Sequence, residues 1–271
     1  MSNLESSAGS YDFSRLGEQS GELNRLKLQA QHSANLELAL LKRMGLATGD
    51  AVLDLACGPG VMTRLMAQSD PTAKITGMDL NAELLDAAHA EAELAGCDSI
   101  RFVQGDVYSP PFEPGQFDFI YARLLFQHLR DPERAMRSVL SLLRPGGIFC
   151  IMDIDDNWLA LHPCPDGFVE FTEAVAEAQA RQGGNRRIGR ELGSMLEQAG
   201  YQGVSVEVET LSSRQLGMRA FLDITLGFKR LLLQGKQLQA AEQVLEAAEA
   251  LVDNPRAWAF VGVFFACGRC D

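Results

Sequence analysis

Long apolar runs and clusters of basic residues are both scarce in this sequence of 271 residues. No apolar run reaches the roughly 20 residues that a spanning helix needs, so no membrane span is predicted. The largest basic group is Arg186 and Arg187 with Arg190, and the formal net charge is −12. Because nucleic-acid-binding proteins usually present a basic face, this charge balance disfavours a DNA or RNA partner.

Cysteine is present but forms no recognisable framework. The six cysteines show no spacing typical of paired disulfides, and the single C-x-x-C pair, Cys267 and Cys270, has no second pair to complete a zinc site. We interpret that pair as ordinary residues of a final strand and tail. Residues 1–20 are polar and acidic and lack a signal-peptide pattern, so we expect a cytoplasmic protein.

Short apolar runs alternate with amphipathic stretches along most of the chain. The strands are predicted at residues 51–56, 74–78, 100–104, 117–121, 148–154, 204–208 and 258–267. The helices are predicted at residues 22–46, 61–68, 81–94, from 131–132 onward, within 157–188, at 188–200 and twice within 217–252. This alternation predicts β-α-β units, hence an α/β fold with a doubly wound, mostly parallel sheet.

Three acidic residues lie at the ends of the first three predicted strands. Asp54 opens the segment Asp-Leu-Ala-Cys-Gly-Pro-Gly, which precedes the first helix of the sheet, where open α/β sheets bind ligands. Asp79 ends the second strand, where an acid can accept hydrogen bonds from ribose hydroxyls. Asp106 follows the third strand and can reach the amine of an adenine. Together these acids predict a site for a nucleoside-containing ligand.

A dinucleotide-dependent dehydrogenase is the obvious alternative for such a fold. Its G-x-G-x-x-G fingerprint requires a third small residue where the helix packs closely on the strand. Counted from Gly58 and Gly60, that position holds Thr63. The fingerprint therefore fails, and this class of enzyme is disfavoured.

These segments resemble the motifs of class I S-adenosylmethionine-dependent methyltransferases. The resemblance rests on residues 52–60 (VLDLACGPG), 77–80 (GMDL), 104–107 (QGDV), 117–120 (FDFI) and 144–147 (RPGG). It covers roughly residues 22–155 and 188–210, and it is strongest to the small-molecule branch that includes the ubiquinone and menaquinone C-methyltransferases. The resemblance implies a Rossmann-like sheet of seven strands with the last one antiparallel. It also implies S-adenosylmethionine as the cofactor and S-adenosylhomocysteine as its product.

The resemblance also implies roles by position. The cofactor-binding set it implies is Arg25, Gln29, Asp54, Ala56, Gly58, Gly60, Asp79, Leu80, Asp106, Val107, Ala122 and Arg123. Within this set, Gly58 and its loop would hold the methionine part, and Asp54 would support the amino group. The backbone at Ala122 and Arg123 would accept from the methionine ammonium. The sequence departs from the family pattern at Ala56, which replaces the usual first glycine of the loop.

The catalytic residue is harder to predict than the cofactor site, because methyl transfer from a sulfonium depends mainly on alignment of the acceptor. His128 follows the fourth strand and is the candidate general base, although a histidine there can equally anchor its loop. Asp153, Asp155 and Asp156 could hold a metal ion, but adjacent acids at a strand exit are more often solvated or capping, so no metal is predicted.

Tyr11 could cover the substrate or lie on a surface loop.

The division of the chain follows from these patterns. We expect an arm and helix over the cofactor at 1–46, a cofactor-binding core at 47–155, a cap insertion at 156–188 and the remaining core at 189–271. The last part carries a helical insertion at about 217–252, in which residues 218–233 are apolar on more than one face.

That apolar segment could form a roof over the methyl donor, a homodimer interface or plain core. A roof would predict a small, largely apolar acceptor, methylated on oxygen, nitrogen or carbon. A methyltransferase-fold cyclase and a cofactor-binding protein without methyl transfer remain alternatives.

Overall fold

The computed structural model describes Ser10 and residues 19–271, without the side chains of Gln19, Ser20 and His32. Its strands are β1 (Ala51–Leu55), β2 (Lys74–Asp79), β3 (Arg101–Gln104), β4 (Phe117–Arg123), β5 (Leu143–His162), β6 (Gln202–Ser212) and β7 (Trp258–Arg269). Its α-helices are α1 (Gln19–Arg43), α2 (Val61–Ser69), α3 (Ala82–Leu94), α4 (Pro132–Leu140), α5 (Phe168–Arg181), α6 (Leu192–Gln198), α7 (Ser213–Leu216), α8 (Met218–Thr225) and α9 (Gly235–Glu249).

All seven strands form one sheet in the order β3-β2-β1-β4-β5-β7-β6. Strands β1 to β5 pair in parallel, whereas β7 is antiparallel to both of its neighbours, β5 and β6. The chain winds outward in both directions from β1, so the carboxyl ends of β1 and β4 flank the crevice where such sheets bind ligands. The predicted doubly wound, mostly parallel sheet and its antiparallel last strand are both confirmed.

Successive residues of the central strands bury their side chains on opposite faces of the sheet. Val52 and Phe119 belong to one apolar cluster, whereas their neighbours Leu53 and Ile120 belong to the other. The first cluster includes side chains from α1, α2, α5, α8 and α9, and the second includes side chains from α4 and α6. Strands buried on both sides need continuous apolar runs, which explains the pattern of β1 and β4 in the sequence.

Local signals set several helix ends as the sequence predicts. The Asn81 side chain caps α3 by accepting a hydrogen bond from the Leu84 N–H at 2.9 Å. Asp131 caps α4 in the same way, accepting from the Arg134 N–H at 2.9 Å, with Pro132 in the first turn. Gly200, just beyond α6, has a φ of 102°, which favours glycine as the residue that ends a helix.

Strand β5 differs most from its prediction. The expected turn at 144–147 is included in the strand, where the pairing with β4 shifts between Phe117 and Phe119. The strand also continues beyond 154 to His162, because a second register shift lets residues 159–162 pair again with β7. The predicted boundary at 155 therefore lies inside β5. The apolar side chains of Leu159 and Leu161, buried in the core, account for the extension.

No helix in the described part of the chain combines the length and apolarity needed to cross a bilayer.

Candidate active site

A cavity of about 500 Å³ lies at the carboxyl edge of the sheet. One part of its wall comes from the loops that follow β1, β2, β3 and β4, and α1 closes that part from the side. The rest comes from residues 152–159 of β5, from residues 261–265 of β7 and from α8 with the turn that follows it. The cavity thus joins a polar half, near the predicted nucleoside site, to a more apolar half.

The loop between β1 and α2 bends through three left-handed residues. Ala56, Gly58 and Gly60 have φ values of 59°, 53° and 68°. A Cβ added to Gly58 would meet nothing within 4 Å, and this residue borders the cavity. Gly60 is different, since its added Cβ would lie 2.8 Å from the Cβ of Ala88. The first glycine leaves space for a ligand, and the second allows the close approach of α3.

Asp79 is held in place by backbone groups at the end of β2. Its carboxylate accepts from the Gly58 N–H at 2.8 Å and from the Asn81 N–H at 2.9 Å, one on each oxygen. Burial raises the pKa of Asp79 above its ordinary value, although these two hydrogen bonds oppose the rise. Asp106 accepts from the Tyr108 N–H at 2.9 Å and also borders the cavity. Both acids therefore face one space with fixed orientation.

Asp54 is buried beside them, at the end of β1. The Thr63 hydroxyl donates to its carboxylate at 2.6 Å, which explains why α2 carries a threonine there. Burial raises the pKa of Asp54 to about 7, and the hydrogen bond from Thr63 and the charge of Arg123 only partly counter this effect.

Helix α1 is attached to β4 by a buried ion pair. The Arg123 guanidinium donates to Glu37 at 2.9 Å, to the Ser33 hydroxyl at 3.1 Å and to the Gln29 carbonyl at 3.3 Å. Glu37 also accepts from the Tyr121 hydroxyl at 2.9 Å and from Ser33. Neither Glu37 nor Ser33 was predicted as a site residue, although a glutamate within the apolar stripe of α1 indicates a buried cationic partner.

Residues 52–147 match a known protein family, described as a methyltransferase domain. An uncharacterised methyltransferase of Synechocystis sp., sll0829, is 30% identical over 167 residues, which cover 59% of this chain and 71% of that protein. The chain belongs to the class I methyltransferase family. The demethylmenaquinone methyltransferase of Lactococcus lactis is 34% identical over 113 residues, covering 41% of this chain and 45% of the relative.

A solved structure aligns with most of this chain, whereas several curated relatives are matched over less than half of their own length. Phosphoethanolamine N-methyltransferase 2 of Haemonchus contortus, solved with phosphomonomethylethanolamine and S-adenosylhomocysteine, superposes with a TM-score of 0.62 at 19% identity. That alignment covers 97% of this chain and 60% of the other, and it supports the fold. This chain spans between 34% and 46% of the length of several other curated relatives that it matches.

Nearly all of the residues that the family resemblance implies for the cofactor border the cavity. Those residues are Arg25, Gln29, Asp54, Ala56, Gly58, Asp79, Leu80, Asp106, Val107 and Arg123. Gly60 and Ala122 are not part of the wall. Gly60 packs against α3, and the Ala122 side chain is buried in the cluster on the opposite face of the sheet. Arg123 borders the cavity with a side chain engaged by α1, a role not foreseen for this residue.

His128 borders the cavity from the turn at Phe126–His128 that follows β4. Its Nδ1 lies 3.0 Å from the Ser10 hydroxyl, and its carbonyl accepts from the Ser10 N–H at 2.9 Å. Burial, and then the charges of Arg186 and Arg25, lower the pKa of His128 to about 3, so the imidazole is neutral at neutral pH. The geometry fits both predicted roles, anchor and proton acceptor. Tyr11, the other candidate near the acceptor, lies outside the described residues.

The acids predicted at the exit of the fifth strand lie in the middle of β5, and they are neither solvated nor simple helix caps. Asp153, Asp155 and Asp156 are all buried. Asp153 accepts from the Gln127 N–H at 3.1 Å, and burial raises its pKa to about 7. Asp155 pairs with Arg190. The prediction of solvated acids is wrong because the chain after α5 returns over this strand and supplies cations. No group of three potential metal ligands occurs among the described residues.

Asp156 is the centre of a buried charge cluster that was not predicted from the sequence. Arg186 donates to both of its oxygens, at 2.8 and 3.0 Å, and Lys229 donates to one of them at 2.6 Å. The Gln127 side chain accepts from Arg186 at 2.7 Å. Arg186 stood out in the sequence only as part of the largest basic group. Lys229 was the signal that the sequence offered, because a lysine within an apolar segment indicates a buried charge cluster.

The apolar segment 218–233 forms part of the cavity wall and of the core rather than an exposed face. Phe221, Leu222 and Leu226 are buried in the core, whereas Ile224 and Phe228 border the cavity. The exposed apolar faces that suggested a homodimer are therefore largely covered within the chain, although Leu231 remains exposed.

Proposed function

We propose that this chain catalyses S-adenosylmethionine-dependent methyl transfer to a small, largely apolar metabolite. The observation that carries the proposal is a single cavity with strand-end acids on one side and an apolar roof on the other. A polynucleotide or a protein acceptor would require an open cleft, and the net charge of −12 also disfavours nucleic acid.

The residues of the polar half fit the chemistry of this cofactor. Asp79 would accept from the ribose hydroxyls, and Asp106 with Val107 would flank the adenine. Gly58 and Ala56 would leave room for the methionine part, with Asp54 near its ammonium, while Arg25 and Gln29 would approach from α1. The lack of a side chain at Gly58, where a Cβ would meet open space, supports this assignment. When bound, the cofactor supplies an electrophilic methyl group on a sulfonium.

The remaining work of the chain is to align the acceptor and accept its proton. We propose His128 for the second task, because a neutral imidazole is the form that accepts a proton. Its lowered pKa makes it a weak base. A weak base suffices for a hydroxyl or amine, since the proton of either group becomes far more acidic once methyl transfer begins.

The role of His128 can be tested with His128→Asn, which keeps a polar partner for Ser10 but cannot act as a base. General-base catalysis predicts that kcat falls by about 100-fold or more, with unchanged affinity for S-adenosylhomocysteine. Retention of kcat would leave His128 as the residue that anchors this loop.

The decisive test of the cofactor is calorimetric titration with S-adenosylmethionine and with S-adenosylhomocysteine. We expect micromolar binding to the unmodified chain and its loss in Asp79→Ala. Asp86→Ala is the matched control, because Asp86 is an exposed acid on α3. Failure of the unmodified chain to bind either compound would refute the proposed function.

The same preparation separates methyl transfer from the alternatives. Formation of S-adenosylhomocysteine across an acceptor panel would establish transfer, and the methylated product would distinguish oxygen, nitrogen and carbon. Binding of the cofactor without turnover of any acceptor would favour the cyclase or binding-protein alternative.

The predicted division of the chain is retained as part of this proposal. Residues 1–46 would cover the cofactor, 47–155 would form most of its site, and 156–188 with 217–252 would enclose the acceptor. Contacts of α1 and α8 with the same cavity support this division. A homodimer and a cytoplasmic location remain predictions.

A further inference from the structure

Within the described part of the chain, a cluster of charged side chains borders the apolar half of the cavity. Asp156, Arg186 and Lys229 all border the cavity, with exposed fractions of 5%, 6% and 1%. They come from three separate segments, namely β5, the loop after α5 and the turn after α8. Desolvating three charged groups is costly, so their presence within an otherwise apolar wall requires an explanation.

The charges of the cluster do not balance. Arg186 and Lys229 carry two positive charges, and Asp156 carries one negative charge. His128 is neutral, and Arg25 is paired with Glu22 at 2.6 Å. Asp153 lies nearby but does not border the cavity, and burial keeps its carboxyl only partly ionised near neutrality. Among the residues that the structure describes, the apolar half of the cavity therefore has a positive excess.

Lys229 also retains hydrogen-bonding capacity. An ammonium has three donors, and among the described residues Asp156 is the acceptor found for Lys229. Arg186 donates to Asp156 and Gln127 through three of its five N–H groups, so it also retains donors. Burial lowers the pKa of Lys229 to about 8, so the ammonium predominates at neutral pH.

We infer that Arg186 and Lys229 form a subsite for an anionic group, such as a carboxylate, on an otherwise apolar acceptor. Asp156 positions both cations, and the ligand anion completes the charge balance of the cluster. The apolar body of the acceptor would then lie against the roof, near Ile224 and Phe228. This inference rests on the proposed function, which supplies the role of acceptor for that ligand.

The test uses the full chain saturated with S-adenosylhomocysteine and titrated with probes that differ only in charge. The probes are hexanoate, octanoate and phenylacetate, each compared with its neutral amide. Because hydrogen bonds to charged groups are the stronger ones, we expect the acids to bind at least about tenfold more tightly than the amides. In Lys229→Met the Kd of the acids should rise by about tenfold or more, while the amides are unaffected.

Two further variants control for folding and for general charge effects. Lys236→Met removes an exposed lysine nearby in the chain and should leave all affinities unchanged. Lys229→Arg keeps the cation and should keep the preference for acids. Equal affinity for acids and amides, or no probe binding at all, would overturn the anionic subsite even if the cofactor binds normally. A cluster with a purely structural role would lower stability in Lys229→Met without changing the ratio of acid to amide affinity.

Discussion

At the scale of single residues, this chain departs from the family pattern at Ala56, which replaces the usual first glycine of the loop. Its φ of 59° places an L-residue in the left-handed region, which costs roughly 1–2 kcal/mol. Gly58, two positions on, adopts a similar φ of 53° without that cost.

We therefore expect opposite effects from exchanging these residue types. Ala56→Gly should raise the free energy of unfolding by about 0.5–1 kcal/mol, because relief of strain exceeds the added entropy of the unfolded chain. Gly58→Ala should lower it by about 1 kcal/mol. Urea denaturation of both variants checks the pair, and a destabilised Ala56→Gly would show that the Ala56 methyl makes a compensating contact.

The buried Asp54 should make stability depend on pH. Its folded-state pKa of about 7 lies above the ordinary value of 3.8, so the folded state holds the proton more tightly. The stabilisation is complete below about pH 4 and is lost as pH rises through 7. Between pH 5 and pH 8 this single group should lower the free energy of unfolding by about 2–3 kcal/mol.

Asp54→Asn isolates this effect, since the amide oxygen can still accept from Thr63. Relative to the unmodified chain, the variant should lose less stability between pH 5 and pH 8, measured by urea unfolding at each pH. Identical pH profiles would mean that Asp54 is ionised in the folded chain without penalty.

The sequence predicts the site residues that lie at strand ends, but it does not predict the buried ion pairs of the site. Asp54, Asp79 and Asp106 were predictable because the end of a parallel strand fixes where its next side chain lies. The partners of Asp156 come from segments 30 and 73 residues away in sequence, so only the folded chain brings them together.

At the scale of elements, α1 depends on a charge pair for its position. Arg123 and Glu37 are both largely buried, with Glu37 1% exposed. Removing one partner of a buried pair leaves the other charge without compensation, which typically costs about 3–5 kcal/mol.

Arg123→Met should therefore destabilise the chain by about 3 kcal/mol and make α1 more susceptible to limited proteolysis. Arg137→Met is the control, because Arg137 pairs with Glu133 on the surface of α4 and should change stability by less than about 0.5 kcal/mol. Equal losses in the two variants would contradict a special role for the Arg123–Glu37 pair.

The existence and order of the elements were largely predictable, whereas their lengths were less so. Strand β5 was predicted to end at 154, and the adjacent acids Asp153, Asp155 and Asp156 were expected to be solvated or capping at its exit. The strand continues because cations from other segments pair with Asp155 and Asp156, and because β7 pairs with residues 148–154 and again with residues 159–162. Sequence periodicity does not contain this tertiary information.

At the scale of the whole molecule, cofactor binding should stabilise the fold by mass action. With S-adenosylhomocysteine at about 100 times its Kd, the expected gain is about 2.7 kcal/mol. For a chain of this size that corresponds to a rise in Tm of about 5–10 °C, measured by thermal denaturation. Asp79→Ala should show no rise, and a comparable rise in that variant would place the ligand elsewhere.

Strand β5 also has an evolutionary consequence. The strand runs without a break from its pairing with β4 to the wall of the cavity, and its register with β7 shifts between Ile154 and Leu159. Side chains of this β5–β7 ladder line the half of the cavity that would hold the acceptor, whereas the half that would hold the methyl donor is built from the loops after β1 to β4. A lineage that lengthened or shortened that irregularity by one residue would reverse which side chains face the cavity. New acceptor preferences could then arise from a single insertion or deletion, without disturbing the strand-end acids.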